Sequence, residues 1–195
     1  NVYLEGQRYT DKHQILSALD VKIGQPMLSI PIRRIRERLQ QLDWVQYAVV
    51  DREFPHSLHV GIVERTPIAI WQNAGQFYLV DTEGQVIVSD HVERFSDLIV
   101  LVGEDAPLYT PALLSVLRSE PALMPQVASA IRIGERRWNI RFANGTEIKL
   151  PEKQQAEAWH FLQQLADKKH VLEGGYATVD LRVEGKVYLK QKPNS

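Results

Sequence analysis

Three observations predict an α+β chain in two parts. An opening stretch orders as strand, helix, helix, strand, strand; short alternating apolar runs dominate after Pro67; and two or so helices are set among those runs. The predicted layout is a β-α-α-β-β domain over residues 1–67, a mostly antiparallel β domain over 68–192, and a tail at 193–195. With 195 residues, 44% of them hydrophobic, the chain has enough apolar material for two small cores.

Val2 to Leu4 open the chain as a strand that Gly6 breaks. Thr10 is placed to cap a helix with Asp11 in its first turn, Ile15, Leu16 and Leu19 on one face, and Gly24 and Pro26 as its end. Pro31 suits the first position of a second helix, whose stripe is Ile32, Ile35, Leu39 and Leu42 and which stops before Trp44. Arg33, Arg34, Arg36 and Arg38 belong to the same helix. They make a solvated face, or alternatively a contact for phosphate headgroups or an acidic partner.

Two strands follow. In Trp44 to Arg52, Val45, Tyr47 and Val49 alternate with Gln46, Ala48 and Val50, and the pattern puts Tyr47 in the core, with Val50 on the opposite face. In Leu58 to Glu64 the apolar set is Leu58, Val60 and Ile62. Pro55 cannot donate to a sheet ladder, so Arg52 to Ser57 is a hairpin connection.

The second part has apolar runs at Ile68–Trp71, Phe77–Val80, Val86–Val88, Leu98–Val102 and Ala130–Ile133. A helix is predicted from Thr110-Pro111, using Leu113, Leu114 and Leu117 and ended by Pro121. Trp138, Ile140 and Phe142 then face Ile148 and Leu150 across Asn144-Gly145. Only a three-residue loop, Ala143 to Gly145, pairs Trp138 with Leu150 and Ile140 with Ile148; Gly145 then takes the left-handed position. Pro151-Glu152 start a helix packing Ala158, Trp159, Leu162, Leu165 and Ala166, with Lys168, Lys169 and His170 at its end and Gly174-Gly175 releasing the chain. The final hairpin has Val179, Leu181 and Val183 before Glu184-Gly185-Lys186, and Val187 and Leu189 after it; whether Val183 pairs with Val187 or lies in the loop is open.

The closing strand, Lys186 to Lys192, sits at a sheet edge, where unpaired N–H and C=O groups can accept a strand from another chain. Lys186, Lys190 and Lys192 are equally the residues an edge uses to repel unwanted pairing.

Several functions are disfavoured. Lys plus Arg against Asp plus Glu stands at 9 to 8 in residues 1–67 and 14 to 16 beyond, so no basic excess invites nucleic acid. There is no cysteine and no run of 18 apolar residues, and no signal peptide is visible. The histidines at 13, 56, 59, 91, 160 and 170 show no metal-ligand spacing, and no nucleophile elbow, phosphate loop or dinucleotide fingerprint is present. No catalytic, metal or cofactor residue is therefore nominated, and a cell-wall hydrolase has nothing to work with.

The order of residues 1–67 resembles a POTRA domain, and its details resemble the FtsQ/DivIB family of bacterial cell-division proteins. The likeness is carried by the strand ending in Gly6, Leu42-Asp43-Trp44-Val45, Val50 to Pro55, Leu58 with Val60, Glu64 to Trp71, Leu79 to Gly84, and Asp180-Leu181-Arg182. It implies a non-enzymatic scaffold of the division machinery linking early and late proteins. It further implies a single-pass inner-membrane protein whose periplasmic region this is, with a membrane helix preceding Asn1. FtsB, with FtsL, is the partner implied for the closing edge, with Arg136, Arg182, Val183, Val187, Tyr188, Leu189 and Lys190 as contacts. Val183 departs from relatives that carry an aromatic residue after Asp-Leu-Arg. Upstream proteins such as FtsK, together with FtsW and FtsI, are the further partners implied, with Tyr47, Val50 and Arg52 facing the upstream side and Arg52 favoured as a contact. The alternative of another class is a POTRA-bearing module of polypeptide transport or envelope assembly, which would be expected to show repeated units or barrel strands.

Overall fold

Five elements build the first part: β1 (Val2–Glu5), α1 (Lys12–Leu19), α2 (Ile32–Leu39), β2 (Val45–Glu53) and β3 (Ser57–Glu64). The structure is a computed structural model that describes residues 1–169, 171–172 and 175–192. The chain divides into two units, Asn1–Thr66 with Ile87–Ser89, and Pro67–Val86 with Asp90–Ser195.

In the first unit β3 lies between β1, which it pairs in parallel, and β2, which it pairs antiparallel. Leu58, Val60 and Ile62 are buried as their alternation predicts, against Ile15 and Leu19 of α1 and Ile35 and Leu39 of α2. Leu16 is a correction: it is 44% exposed and lies off the buried face. The cap is also reassigned. Asp11 is the N-cap of α1, accepting from the His13 N–H, and the helix ends at Leu19 with Asp20 in the left-handed conformation, before Gly24 and Pro26.

Thr10 serves another purpose. Its hydroxyl and N–H donate to Glu64 Oε1 at 2.6 and 2.7 Å, where the N–H groups of Arg8 and Tyr9 also arrive at 2.9 Å. Tyr9 N–H reaches Oε2 as well, at 3.0 Å. Burial opposes the charge on Glu64, but the Thr10 hydroxyl and the backbone N–H groups of Arg8, Thr10 and Tyr9 outweigh it and hold the carboxyl below its ordinary range. Glu64, at the end of β3, thereby pins the segment entering α1. Gly6 starts that segment with φ +86°, and a Cβ there would stand 2.0 Å from the Ile62 carbonyl oxygen.

The elements after Thr66 are β4 (Pro67–Asn73), β5 (Gln76–Asp81), β6 (Val86–Ile87), β7 (Val100–Val102), α3 (Ala106–Arg118), β8 (Val127–Ile133), β9 (Arg137–Phe142), β10 (Glu147–Lys149), α4 (Gln155–Lys169), β11 (Tyr176–Asp180) and β12 (Tyr188–Gln191). They form one nine-stranded, mostly antiparallel sheet in the order β12-β11-β10-β9-β8-β7-β4-β5-β6. Parallel joints occur at β4–β7, β7–β8 and β10–β11.

Trp138, Ile140, Phe142, Ile148, Leu150 and Val179 form the buried face of this sheet with α3 and α4. Trp159 is wholly buried, meets Phe142 edge-on at 6.1 Å, and donates its indole N–H to the Leu117 carbonyl at 3.2 Å. The hairpin register is the predicted one: Ile140 opposes Ile148, Leu150 N–H bonds Trp138 O, and Gly145 has φ +85°.

Both helices begin elsewhere than predicted. α3 starts at Ala106, with Pro107 in its first turn and Pro111 inside it, where the Thr110 hydroxyl bonds Ala106 O at 2.9 Å. α4 starts at Gln155 because Gln154 adopts φ +57°, which Pro151-Glu152 do not signal. Trp159, Leu162 and Leu165 pack as expected. The readings placed on His170, Gly174 and residues 193–195 lie outside the described residues.

Candidate functional site

The free edge at β12 is made by the last hairpin. β11 joins β10 in parallel, extended by the Leu181 N–H to Lys149 O bond, and β12 folds back with Val179 opposite Leu189 and Asp180 opposite Tyr188. β12 is shorter than the predicted Lys186–Lys192, and its four residues are all exposed. Val183 and Val187 both lie in the connection, where Lys186 N–H bonds Val183 O, so they do not pair in the sheet.

The direction of the free backbone groups follows from one bond. Lys192 N–H donates to Gly175 O at 2.7 Å, so it faces β11. With a period of two, the groups of Lys190 and Tyr188 face β11 too, and those of Leu189 and Gln191 face outward. Side chains divide similarly. Leu189 shares a face with buried Val179, whereas Tyr188 shares the other with Asp180.

On the Tyr188 side is an open depression of about 560 Å³ lined by Arg136, Arg137, Glu152, Asp180, Arg182 and Val183 as well as Tyr188 and Pro151. Arg136, Arg182, Val183 and Tyr188, nominated from sequence, are thus brought together. Val187 is partly buried against the core instead, and Lys190 stands exposed on the strand. Beside the connection a second groove of about 760 Å³ runs along the start of α4, with Ala158, Phe161, Leu181 and Val183 in its wall.

Arg182 is held by its neighbour. Its Nε reaches both Asp180 oxygens at 2.9 and 3.0 Å, its Nη2 reaches Oδ2 at 2.6 Å, and its N–H bonds Oδ1 at 3.1 Å. The Arg182 side chain, outweighing burial, keeps the Asp180 carboxyl below its ordinary range. This clamp presents the remaining guanidinium donors in one orientation. The sequence analysis missed it, although residues two apart in extended chain share a face and the Asp-x-Arg spacing was the available signal. Arg137, Glu152 and Phe161 were missed also; only proximity in the fold collects them.

In the first unit the nominated residues separate. Tyr47 is 49% exposed, not core, on the sheet face that also bears Val49 and Val63. Val50 is 5% exposed and belongs to the core, so it offers a partner no surface. A register shift between Val45 and Tyr47 explains both: Val45 and Ala48 point inward despite their odd separation. Arg52 is engaged internally, donating to Met27 O at 3.0 Å and Ile30 O at 2.6 Å.

The comparisons with known proteins bear on both units. Residues 69–182 match the family described as "Cell division protein FtsQ/DivIB, C-terminal", and residues 1–65 match "POTRA domain, FtsQ-type". Cell division protein FtsQ of Rickettsia felis is 36% identical over 191 residues, covering 98% of this chain and 71% of that protein. The protein of the same name from Caulobacter vibrioides is 34% identical over 181 residues, 93% of this chain and 60% of that protein. Among solved structures, the major extracytoplasmic domain of the cell division protein DivIB from Geobacillus stearothermophilus aligns at 20% identity with a TM-score of 0.38, covering 55% of this chain and 96% of that one.

Proposed function

Since the chain belongs to the FtsQ/DivIB family of cell-division proteins, we propose that it is a non-enzymatic division scaffold whose second unit binds FtsB, with FtsL, by strand addition at β12. The observation that supports this reading most directly is the four-residue edge strand, exposed throughout, whose first residue Tyr188 lines the depression shared with Arg136 and Arg182. An incoming strand would take main-chain bonds from Leu189 and Gln191 and place alternate side chains against Leu189 on one face and Tyr188 on the other. Acidic groups on it would meet Arg136 and the free donors of Arg182. The first unit is the side for upstream partners such as FtsK, with Tyr47 exposed there among the nominated residues, and FtsW and FtsI are further partners of the protein. In this reading the chain is the periplasmic region of a protein held in the inner membrane.

The test is binding of the chain to the periplasmic segment of FtsB, with and without FtsL. Leu189→Pro removes an outward N–H while leaving the bonds of β12 to β11 in place, so it should abolish binding with the fold intact. Lys190→Ala should change affinity little. If Leu189→Pro binds as wild type does, strand addition at β12 is wrong; if wild type does not bind at all, the FtsB assignment fails.

A further inference from the structure

The connection between α1 and α2 carries two of the most exposed large apolar side chains among the described residues, Ile23 at 107% and Leu28 at 79%. Neither is left out by a lack of local order. Lys22 N–H bonds Gln25 Oε1 and Gln25 N–H returns to Lys22 O, closing a turn with Ile23 and Gly24 at its tip. The Ser29 hydroxyl bonds Pro26 O at 2.7 Å, and Arg52 ties down Met27 O and Ile30 O from the sheet. The backbone is fastened on its inner side and the aliphatic side chains are displayed on its outer side.

The charge along this stretch is in positive excess. From Asp20, the first residue after α1, to Leu39 there are five cations, Lys22, Arg33, Arg34, Arg36 and Arg38, against two acids, Asp20 and Glu37. Arg33 pairs with Glu37, and Arg38 with Asp20 and the Leu19 carbonyl. Lys22, Arg34 and Arg36 have no ion pair among the described residues.

We propose that this connection is a contact point for an anionic lipid surface, with Ile23 and Leu28 entering the headgroup boundary and Lys22 and Arg34 meeting phosphates. Two protruding aliphatic side chains flanked by unpaired cations match the division of an interfacial segment into an apolar tip and a basic flank. Protein hot spots are built mostly from Trp, Tyr and Arg, with leucine under-represented, whereas the exposed pair here is aliphatic. Each cation close to an anionic surface strengthens association roughly fivefold. The contact is therefore weak alone and orients the first unit wherever the chain is already near a membrane. It is independent of the β12 edge.

Cosedimentation of the chain with vesicles of phosphatidylglycerol and phosphatidylcholine in equal parts, against phosphatidylcholine alone, tests this at low and high salt. Wild type should bind the anionic vesicles selectively and release at high salt. Ile23→Ser with Leu28→Ser should lower the partition coefficient about tenfold or more, and Lys22→Glu with Arg34→Glu should remove the preference for anionic lipid. Leu108→Ser, an exposed leucine of the second unit, should change nothing. All these positions are exposed, so folding is preserved. If wild type ignores both vesicle types, or if the Ile23→Ser, Leu28→Ser chain binds as wild type does, the connection is not a lipid contact and its apolar pair belongs to a protein surface instead.

Discussion

Replacing Glu64 by Gln removes one charge and keeps the shape. The carboxylate receives three backbone N–H groups and the Thr10 hydroxyl at 2.6–3.0 Å. Hydrogen bonds to a charged acceptor contribute about 1.5–3 kcal/mol against about 1 for a neutral one, and Gln would turn an N–H toward the Tyr9 N–H. Discounted for the exposure of this group, the loss should be about 2 kcal/mol, a fall of roughly 8–16 °C in the melting of a unit this small. The sign with pH is fixed: because the folded carboxyl is held below the ordinary range, its contribution is complete above about pH 4.3, the unfolded value, and disappears as pH falls through the lowered folded value. The assay is hydrogen exchange at the Tyr9 and Thr10 amides with residue-resolved denaturation of the first unit, at neutral pH and in acid. Equal stability of wild type and Glu64→Gln at neutral pH, or a difference that stays constant into strong acid, would refute the carboxylate's role.

Gly6→Ala should destabilise the first unit by at least about 2 kcal/mol, since the added methyl meets the Ile62 carbonyl and φ is +86°; urea denaturation checks it. Trp159→Ala should cost the second unit about 3–5 kcal/mol, read as a lower denaturation midpoint, because a wholly buried indole is lost and the Leu117 carbonyl loses its donor. In Arg182→Ala the Asp180 carboxyl should titrate at higher pH than in wild type, measured by carbon NMR, with stability changed by about 1 kcal/mol, since the Arg182 side chain is 42% exposed and solvent screens the pair.

Alternation was legible wherever it had polar contrast. Leu58, Val60 and Ile62 are separated by His59 and Gly61 and were placed correctly, and the Ala143–Gly145 loop followed from matching Ile140 to Ile148. In β2 nearly every residue from Val45 to Val50 can be buried, so nothing in the string marks the irregularity that turns Tyr47 outward. The prolines misled for a physical reason: Pro111 looks like a helix start, but Pro107 already occupies the first turn, and Pro111 inside the helix removes only the single bond that its N–H would have given to the Pro107 carbonyl. At the candidate site the strand and its edge position were readable; the Asp180–Arg182 clamp needed a partner to be chosen within the chain, and Glu152 is joined to Arg136, and Phe161 to Val183, only by tertiary structure.

The parallel joint between β10 and β11 has a consequence for how the molecule is made. A parallel neighbour cannot be reached by a tight turn, so α4 must be spanned before β11 docks, and β12 can add only to β11. Every other strand of the sheet precedes β12 in the chain. During synthesis the edge is accordingly the last piece of the platform to form, and a growing or damaged chain that has not closed the α4 crossover displays no β12 edge at all. Recruitment through this edge would then select finished molecules, making completion of folding itself a condition of assembly.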